Sequence, residues 1–261
     1  MVSEHHGAEE GYLPSPLIFL SACAARTENL RLMLAVLLIP LHDPLRIAED
    51  IAVLDLISDG RVDLVLGLGY AKQDFENFGV DLKGRGKFLE EGVQVLKKAW
   101  TGDWFEYEGR QVRVTPKPVQ RPRPGIMIGG NTAVAAKRAA RIADNFVPGN
   151  PQAYLHYLQF CKELGKEIQV PSAGVGPAFL YVSENPERDW ETIMPHALHE
   201  ANCYAKWEKE GGIVGLYNTA QTEQSILDNP EYMVVSVDEC INLFRELGDD
   251  GNVSIHPLMG G

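Results

Sequence analysis

The segment from His42 to Phe78 constrains the fold more than any other part of the chain. It reads HDPLRIAEDIAVLDLISDGRVDLVLGLGYAKQDFENF: an amphipathic helix, a turn, a buried strand and a glycine-rich loop in succession. Asp43 suits the N-cap and Pro44 the first helical position, where a missing N–H does no harm. Ile47, Ile51, Leu54 and Ile57 recur at helical spacing, and Asp59-Gly60 ends the run. Val62 to Leu68 is too short for a useful helix and almost wholly apolar, the pattern of a parallel strand covered on both faces. Gly67 and Gly69 stand where that strand ends. In parallel α/β folds, ligands gather at the C-terminal ends of strands, and glycine lets them approach the backbone.

The rest of the chain repeats this unit. Periodicity predicts helices over 14–28, 84–100, 132–143, 152–165, 187–210 and 237–247, with Phe88, Leu89, Val93, Leu96 and Trp100 facing inward on the second. It predicts strands over 30–39, 126–128, 145–148, 178–182 and 253–256. Residues 104–115 read as a β-hairpin about Gly109-Arg110, and 116–124, with four prolines, as an extended connector. The segment around Asp74, Phe75 and Phe78 reads as a loop, Gly129-Gly130-Asn131 as a tight turn, and 211–230 as irregular. Alternating strands and helices imply right-handed βαβ units and a parallel sheet. No G-x-G-x-x-G opens a helix with an acidic residue downstream, so a dinucleotide site of the Rossmann kind is unsupported. An α/β barrel of the TIM (β/α)8 type fits the repeat better, as one domain over 1–261 with inserted segments near 102–124 and 187–230.

Charge narrows the partners. A formal net charge of −12 over 261 residues argues against nucleic acid, whose binding needs basic patches. No apolar run approaches the ~20 residues that span a bilayer, so no membrane role is expected. Cys23, Cys161, Cys203 and Cys240 are widely spaced and form no C-x-x-C pair, which reads as reduced thiols of a cytoplasmic protein. His196, His199 and Cys203 share a helical face, but HEANC does not fit H-E-x-x-H and no fourth ligand is identifiable, so no metal is expected. Arg110, Lys117, Arg121 and Arg123 read as a solvated basic connector.

Four stretches then carry a resemblance. They are Glu4-His5-His6; Asp43-Pro44-x-Arg46-x-Ala48-Glu49-Asp50 with Leu54-Asp55 and Ser58-x-Gly60-Arg61; Gly67-x-Gly69-Tyr70 with Asp74-Phe75 and Phe78-Gly79; and Ile128-Gly129-Gly130-Asn131 with Ala139-Ala140-x-x-Ala143-Asp144. In order and spacing the chain resembles the bacterial-luciferase-like flavin-dependent monooxygenases, a TIM-barrel family. The resemblance implies that the family's first strand and helix precede Met1 and its last helix follows Gly261, so both ends read as truncated. It also implies reduced FMN from a separate flavin reductase, O2 and a small organic substrate, in a homo-oligomer. Two alternatives stay open. One is a deazaflavin-dependent hydride-transfer enzyme on the same barrel; the other is a non-catalytic flavin-binding or partner subunit.

Carried onto single positions, the resemblance makes His5 the catalytic candidate, at the rim of the second barrel strand, where an imidazole can move protons near neutral pH. A loop histidine near a terminus is the plain alternative. Ala35 and Val36 fall where the family carries a non-proline cis peptide beneath the flavin ring, although LRLMLAVLLI also reads as an ordinary buried strand. Gly67, Leu68, Gly69 and Tyr70 are expected to present their backbone to the cofactor. Luciferase has an arginine for the FMN phosphate where this chain has Leu68. Phosphate binding is therefore expected of Gly129, Gly130 and Asn131, before the N-terminus of helix 132–143, unless they make only a strand-to-helix turn.

Overall fold

A computed structural model of the chain describes residues 1–9, 11–168, 179–213, 215, 217 and 219–247. Two compact units are present, Met1–Glu167 and Ile168–Gly261. In the first, α1 (Pro16–Arg26) precedes β1 (Leu32–Leu38), and a 3-10 turn (Ile39–Leu41) leads into α2 (Pro44–Ser58) and β2 (Val62–Gly67). α2 starts as the sequence dictates: Asp43 Oδ1 accepts from the N–H groups of Leu45 and Arg46 at 2.8 and 3.2 Å. Its buried stripe is Ile47, Ala48, Ile51, Ala52 and Leu54, continued by Asp55 and Ser58. Ile57 belongs to the expected stripe but is 48 % exposed, because Asp55 takes the inward position of the last turn.

Asp55 faces inward because it anchors the proline-rich connector. One carboxylate oxygen accepts from the N–H groups of Val119 and Gln120 at 2.7 and 2.9 Å, and the other from Gln120 Nε2 at 2.7 Å. A fully buried carboxylate is tolerable only when donors surround it so completely.

After β2 come α3 (Lys72–Phe78) and α4 (Arg85–Ala99). The expected loop around Asp74 is thus a short helix, closed by Gly79 in the left-handed region at φ 63°. On α4 the inward stripe is Leu89, Gly92, Val93 and Leu96, running on to Trp100, whose indole N–H donates to Ala48 O at 3.0 Å. Phe88 is 50 % exposed, which corrects the expected inward position; it lies about 100° from Leu89 around the helix. The hairpin β3 (Phe105–Tyr107) and β4 (Arg110–Val112), the connector, β5 (Ile126–Gly130), α5 (Ala133–Ile142), β6 (Asn145–Pro148) and α6 (Pro151–Glu163) complete this unit.

β1, β2, β5 and β6 form one parallel sheet in that order, so their C-terminal ends share one edge. Val2 bridges to Leu34 on the free edge of β1, with Val2 N–H donating to Met33 O at 2.9 Å. Gly129 and Gly130 are the last two residues of β5, paired with Val147 and Pro148, where a tight turn was expected; only Asn131 lies beyond the strand. The connector's cations find partners close by: Arg123 grips Asp144 through two contacts of 2.7 Å, and Arg110 meets Glu108 at 3.0 Å.

The second unit pairs β7 (Phe179–Val182) in parallel with β8 (Tyr232–Val235), with α7 (Pro186–Glu210), α8 (Glu223–Leu227) and α9 (Val237–Leu247). β8 was not expected from the sequence, and α8 interrupts the stretch read as irregular. The strand expected at 253–256 lies outside the described residues. Phe179, Ile193, Ala197, Ala201, Tyr217, Ile226 and Tyr232 make this unit's core, against which Trp190 and Tyr204 pack. Among the described residues no helix is long and apolar enough to cross a membrane.

Asp55→Ala should cost about 3 kcal/mol, since it leaves three part-buried N–H donors of the connector without their acceptor. Urea unfolding at neutral pH measures this; an unchanged midpoint would remove Asp55 as the anchor.

Candidate active site

The shared strand edge of the first unit carries most of the expected site residues. The Ala35–Val36 peptide is cis, as the resemblance implied. The β1–β2 register shifts here: Ala35 faces Val65, then Leu37 faces Leu66, and Val36 is passed over. Its side chain turns toward two glycines. A Cβ on Gly67 would lie 2.6 Å from Val36 Cγ2, and one on Gly129 would lie 3.0 Å from Val36 Cγ1. Glycine at 67 and 129 therefore has a packing reason: the close neighbour is Val36, where the sequence suggested a ligand. Ala35, Val36, Leu68, Gly69, Tyr70, Gly129, Gly130 and Asn131 are half-buried, and Gly67 is buried. They form a ledge of strand-end backbone across β1, β2 and β5.

The ledge is backed by an apolar cluster of Leu38, Leu41 and Phe75, with Val36, Val80 and Leu82 packed on it. Gly69, at φ 72°, needs its missing side chain because a Cβ would meet the Phe75 ring at 2.9 Å. Phe75 in turn fixes its neighbour Asp74, which has no solvent exposure.

Asp74 is where His5 is held. His5 Nδ1 lies 3.0 Å from Asp74 Oδ2, and the backbone N–H of His6 donates to Asp74 Oδ1 at 2.8 Å. Tyr12 and Tyr70 present their ring edges or faces to the imidazole, with centroids 4.9 and 5.8 Å away. The His5 side chain is 8 % exposed, so it is not a loop histidine in water. This arrangement supplies an imidazole of fixed orientation beside the ledge.

Glu4, on the other side of His5, is 1 % exposed and makes three contacts. Its Oε1 lies 2.9 Å from His6 Nε2 and 2.7 Å from His42 Nε2, and its Oε2 accepts from the Leu38 N–H at 2.7 Å. Burial pushes the Glu4 carboxyl up, but the hydrogen bond and charge of His42, then Leu38 N–H and His6, outweigh it and hold it below its usual 4.5. Asp74, His6 and His42 were not among the expected site residues. The signal for Asp74 was its place in the third motif, and for His42 its place just past the end of β1.

Gly130, Asn131 and the start of α5 form a separate corner. Gly130 packs against Ala135, Asn131 sits over Gly149, and Asn150 Nδ2 donates to Asn131 O at 3.0 Å. The helix is capped from within, since Thr132 Oγ1 accepts from Ala135 N–H at 3.2 Å. His199 and Cys203 lie 3.5 Å apart on α7, and among the described residues no three His, Cys, Asp or Glu side chains converge as a metal site would require.

With this geometry in view, comparison places the chain. Residues 1–233 match the model of the luciferase-like monooxygenase family, and the chain belongs to that family. It is 24 % identical over 270 residues to the 4-hydroxyprotoasukamycin monooxygenase of Streptomyces nodosus subsp. asukaensis, over 94 % of this chain and 71 % of that one. It is 31 % identical over 148 residues to protein y4vJ of Sinorhizobium fredii, and it spans only 42 % of that relative's length. Its fold resembles the oxygenating constituent of 3,6-diketocamphane monooxygenase of Pseudomonas putida, solved with FMN. There the TM-score is 0.72 at 19 % identity, over 98 % of this chain and 81 % of that one. An F420-dependent secondary alcohol dehydrogenase gives a TM-score of 0.68 at 17 % identity, with the same coverage of both chains. The fold class is thus α/β, of the luciferase-like TIM-barrel type.

Two outcomes check this description. Gly67→Ala should destabilise by about 1–3 kcal/mol through overpacking, and adding Val36→Ala should return most of it, read as a double-mutant cycle in urea. Because Glu4 is held below 4.5, its ionised form stabilises the fold above that pH and stops doing so as the pH falls through the lowered value. Glu4→Gln should therefore cost most near neutral pH and progressively less below 4.5; a pH-independent cost would contradict the assignment.

Proposed function

We propose that the protein is a monooxygenase that uses reduced FMN and O2 to oxygenate a small organic substrate. The observation that carries this reading is His5, buried and gripped through Nδ1 by Asp74 at 3.0 Å beside the strand-end ledge. The ledge suits a flavin ring system: it is half-buried strand-end backbone with four glycines, on an apolar floor that keeps water out. Leu68 offers no charge to a phosphate, which leaves the N–H groups at the start of α5, near Asn131, as the phosphate partner. Reduced FMN held there supplies the electrons that activate oxygen, and its supply is assigned to a separate flavin reductase.

The chain's own part is positional and protonic. Asp74 fixes the His5 tautomer and ring plane, which assigns proton exchange with the reacting partners to Nε2, the nitrogen opposite the Asp74 contact. Val36, pressed between Gly67 and Gly129, gives the ledge a fixed apolar surface for the ring to rest on. A second reading, hydride transfer with a deazaflavin coenzyme and no oxygen, is favoured by the likeness to the F420-dependent dehydrogenase, on a barrel of the same type.

Anaerobic titration of the chain with reduced FMN, and in parallel with the reduced deazaflavin, separates the two. Tight FMN binding followed by oxygen uptake supports the monooxygenase; preference for the deazaflavin moves the chain to hydride transfer. His5→Ala should lower turnover about 10²–10⁴-fold with cofactor affinity little changed. Asp74→Asn should lower it about 10–100-fold, as loss of an orienting partner does. Unchanged turnover in His5→Ala would remove His5 from the mechanism.

A further inference from the structure

We propose that His42 is a positioning residue for this site: through Glu4 it clasps the Glu4-His5-His6 segment, and with it the His5 imidazole, against the end of β1. The proposal rests on the reading of His5 given above, but its structural half is testable without any cofactor. Glu4 has no solvent contact, and its two oxygens are shared between three donors from three places in the chain. Leu38 N–H ties it to the end of β1, His6 Nε2 to its own segment, and His42 Nε2 to the turn that opens α2. Asp74 grips the same segment from the other side, through His5 Nδ1 and the His6 backbone. Two buried carboxylates thus hold the segment that carries His5: Asp74 bonds to His5 itself and to the His6 backbone, and Glu4 ties the segment to the end of β1 and to His42.

His42 is the outer member of the clasp. Its side chain is 24 % exposed while that of Glu4 is 0 % exposed. His42 lines an open cleft of about 640 Å³, formed with Asp43, Phe88, Glu91, Tyr107 and Glu108, and no residue of the ledge lines it. Small solutes can therefore reach the place of the His42 ring without passing the catalytic ledge. A donor lost at His42 can be replaced from outside. Imidazole refills the volume of the ring as well as its donor, so the two are told apart by His42→Gln, which keeps an N–H donor, against His42→Met, which keeps bulk without one.

The experiment uses the full chain with 15N-labelled histidine, in the wild type, His42→Ala and His42→Gln, the last keeping an N–H donor for Glu4. The first readout is the His5 ring resonances, which need no ligand. They should shift or broaden in H42A, return as imidazole is titrated in, and stay near the wild-type position in H42Q. The second readout is functional: the rate at which oxygen reoxidises bound reduced FMN should fall about tenfold in H42A, while the anaerobic affinity for reduced FMN stays within about threefold. Imidazole should restore the rate and leave the affinity where it was. His5 resonances that do not move in H42A, or that move and respond to neither imidazole nor glutamine, would overturn the proposal. A loss of FMN affinity as large as the loss of rate would also overturn it. If H42A does not fold, His42→Gln against His42→Met makes the same comparison of donor kept and donor lost. If the wild type binds neither reduced FMN nor the deazaflavin, the functional reading falls, and the ring resonances alone decide the clasp.

Discussion

The parallel ladder between Leu32–Leu38 and Val62–Gly67 is the contact on which the site depends. It fixes the direction of both strands, so that their C-terminal ends, and the segments that leave them, meet on one edge. The ladder is regular up to Ala35 and resumes at Leu37, which sends Val36 out of the pairing and over Gly67 and Gly129. Any side chain on those two glycines would compete with Val36 for the same space. The resumed ladder then delivers Leu38 with its N–H directed at Glu4, and the chain turns at once into the segment carrying His42. A shift at one residue of one strand thus determines both the surface of the ledge and the seat of the histidine segment.

The electrostatics of the site follow from burying two carboxylates in a chain that already carries a formal charge of −12. Neither Glu4 nor Asp74 has room for water, so each must find its donors in the protein. The donors are backbone N–H groups and imidazoles, with no lysine or arginine among those described. Donors of this kind hold a carboxylate in place without cancelling it by a permanent positive charge. An imidazole offers one nitrogen to the carboxylate and keeps the other for a second partner, whereas a guanidinium has donors only.

The sequence made the repeat legible because its signals are local and strong. The Asp43-Pro44 start, the apolar run 62–68 and the alanine-rich run 132–143 all act within a few residues, and the elements they predict are found at 44–58, 62–67 and 133–142. Misreadings arose where a distant contact decides. Ile57 loses its inward place to Asp55, which serves a connector more than 60 residues away. Gly129 and Gly130 look like a turn until pairing with Val147 and Pro148 keeps them in the strand. Tyr232–Val235 has only four residues, one strand turn's worth of signal, and becomes a strand through its pairing with Phe179–Val182. His5 could be singled out from its neighbours in sequence; Asp74 and His42, its supports, lie 69 and 38 residues from the groups they bind. A local pattern can mark such residues, as the third motif marks Asp74, but it cannot say which distant group they bind.

The same division explains why these residues serve the choice of reaction so little. Electron transfer and oxygen activation are properties of a cofactor, while the protein supplies orientation, exclusion of water and a proton. A half-buried apolar ledge with a fixed imidazole beside it meets those needs for a flavin or for a deazaflavin alike. What separates the two is the treatment of oxygen, and that is governed by the walls around the reacting face rather than by the ledge beneath the ring. On the proposed reading, Val36, Gly67 and Gly129 form the floor and His5 with Asp74 handles the proton; neither group has a reason to differ between an oxygenase and a hydride-transfer enzyme. Discrimination must therefore come from side chains other than these; Tyr12 and Tyr70, whose rings flank His5, are the described aromatic residues in contact with the imidazole.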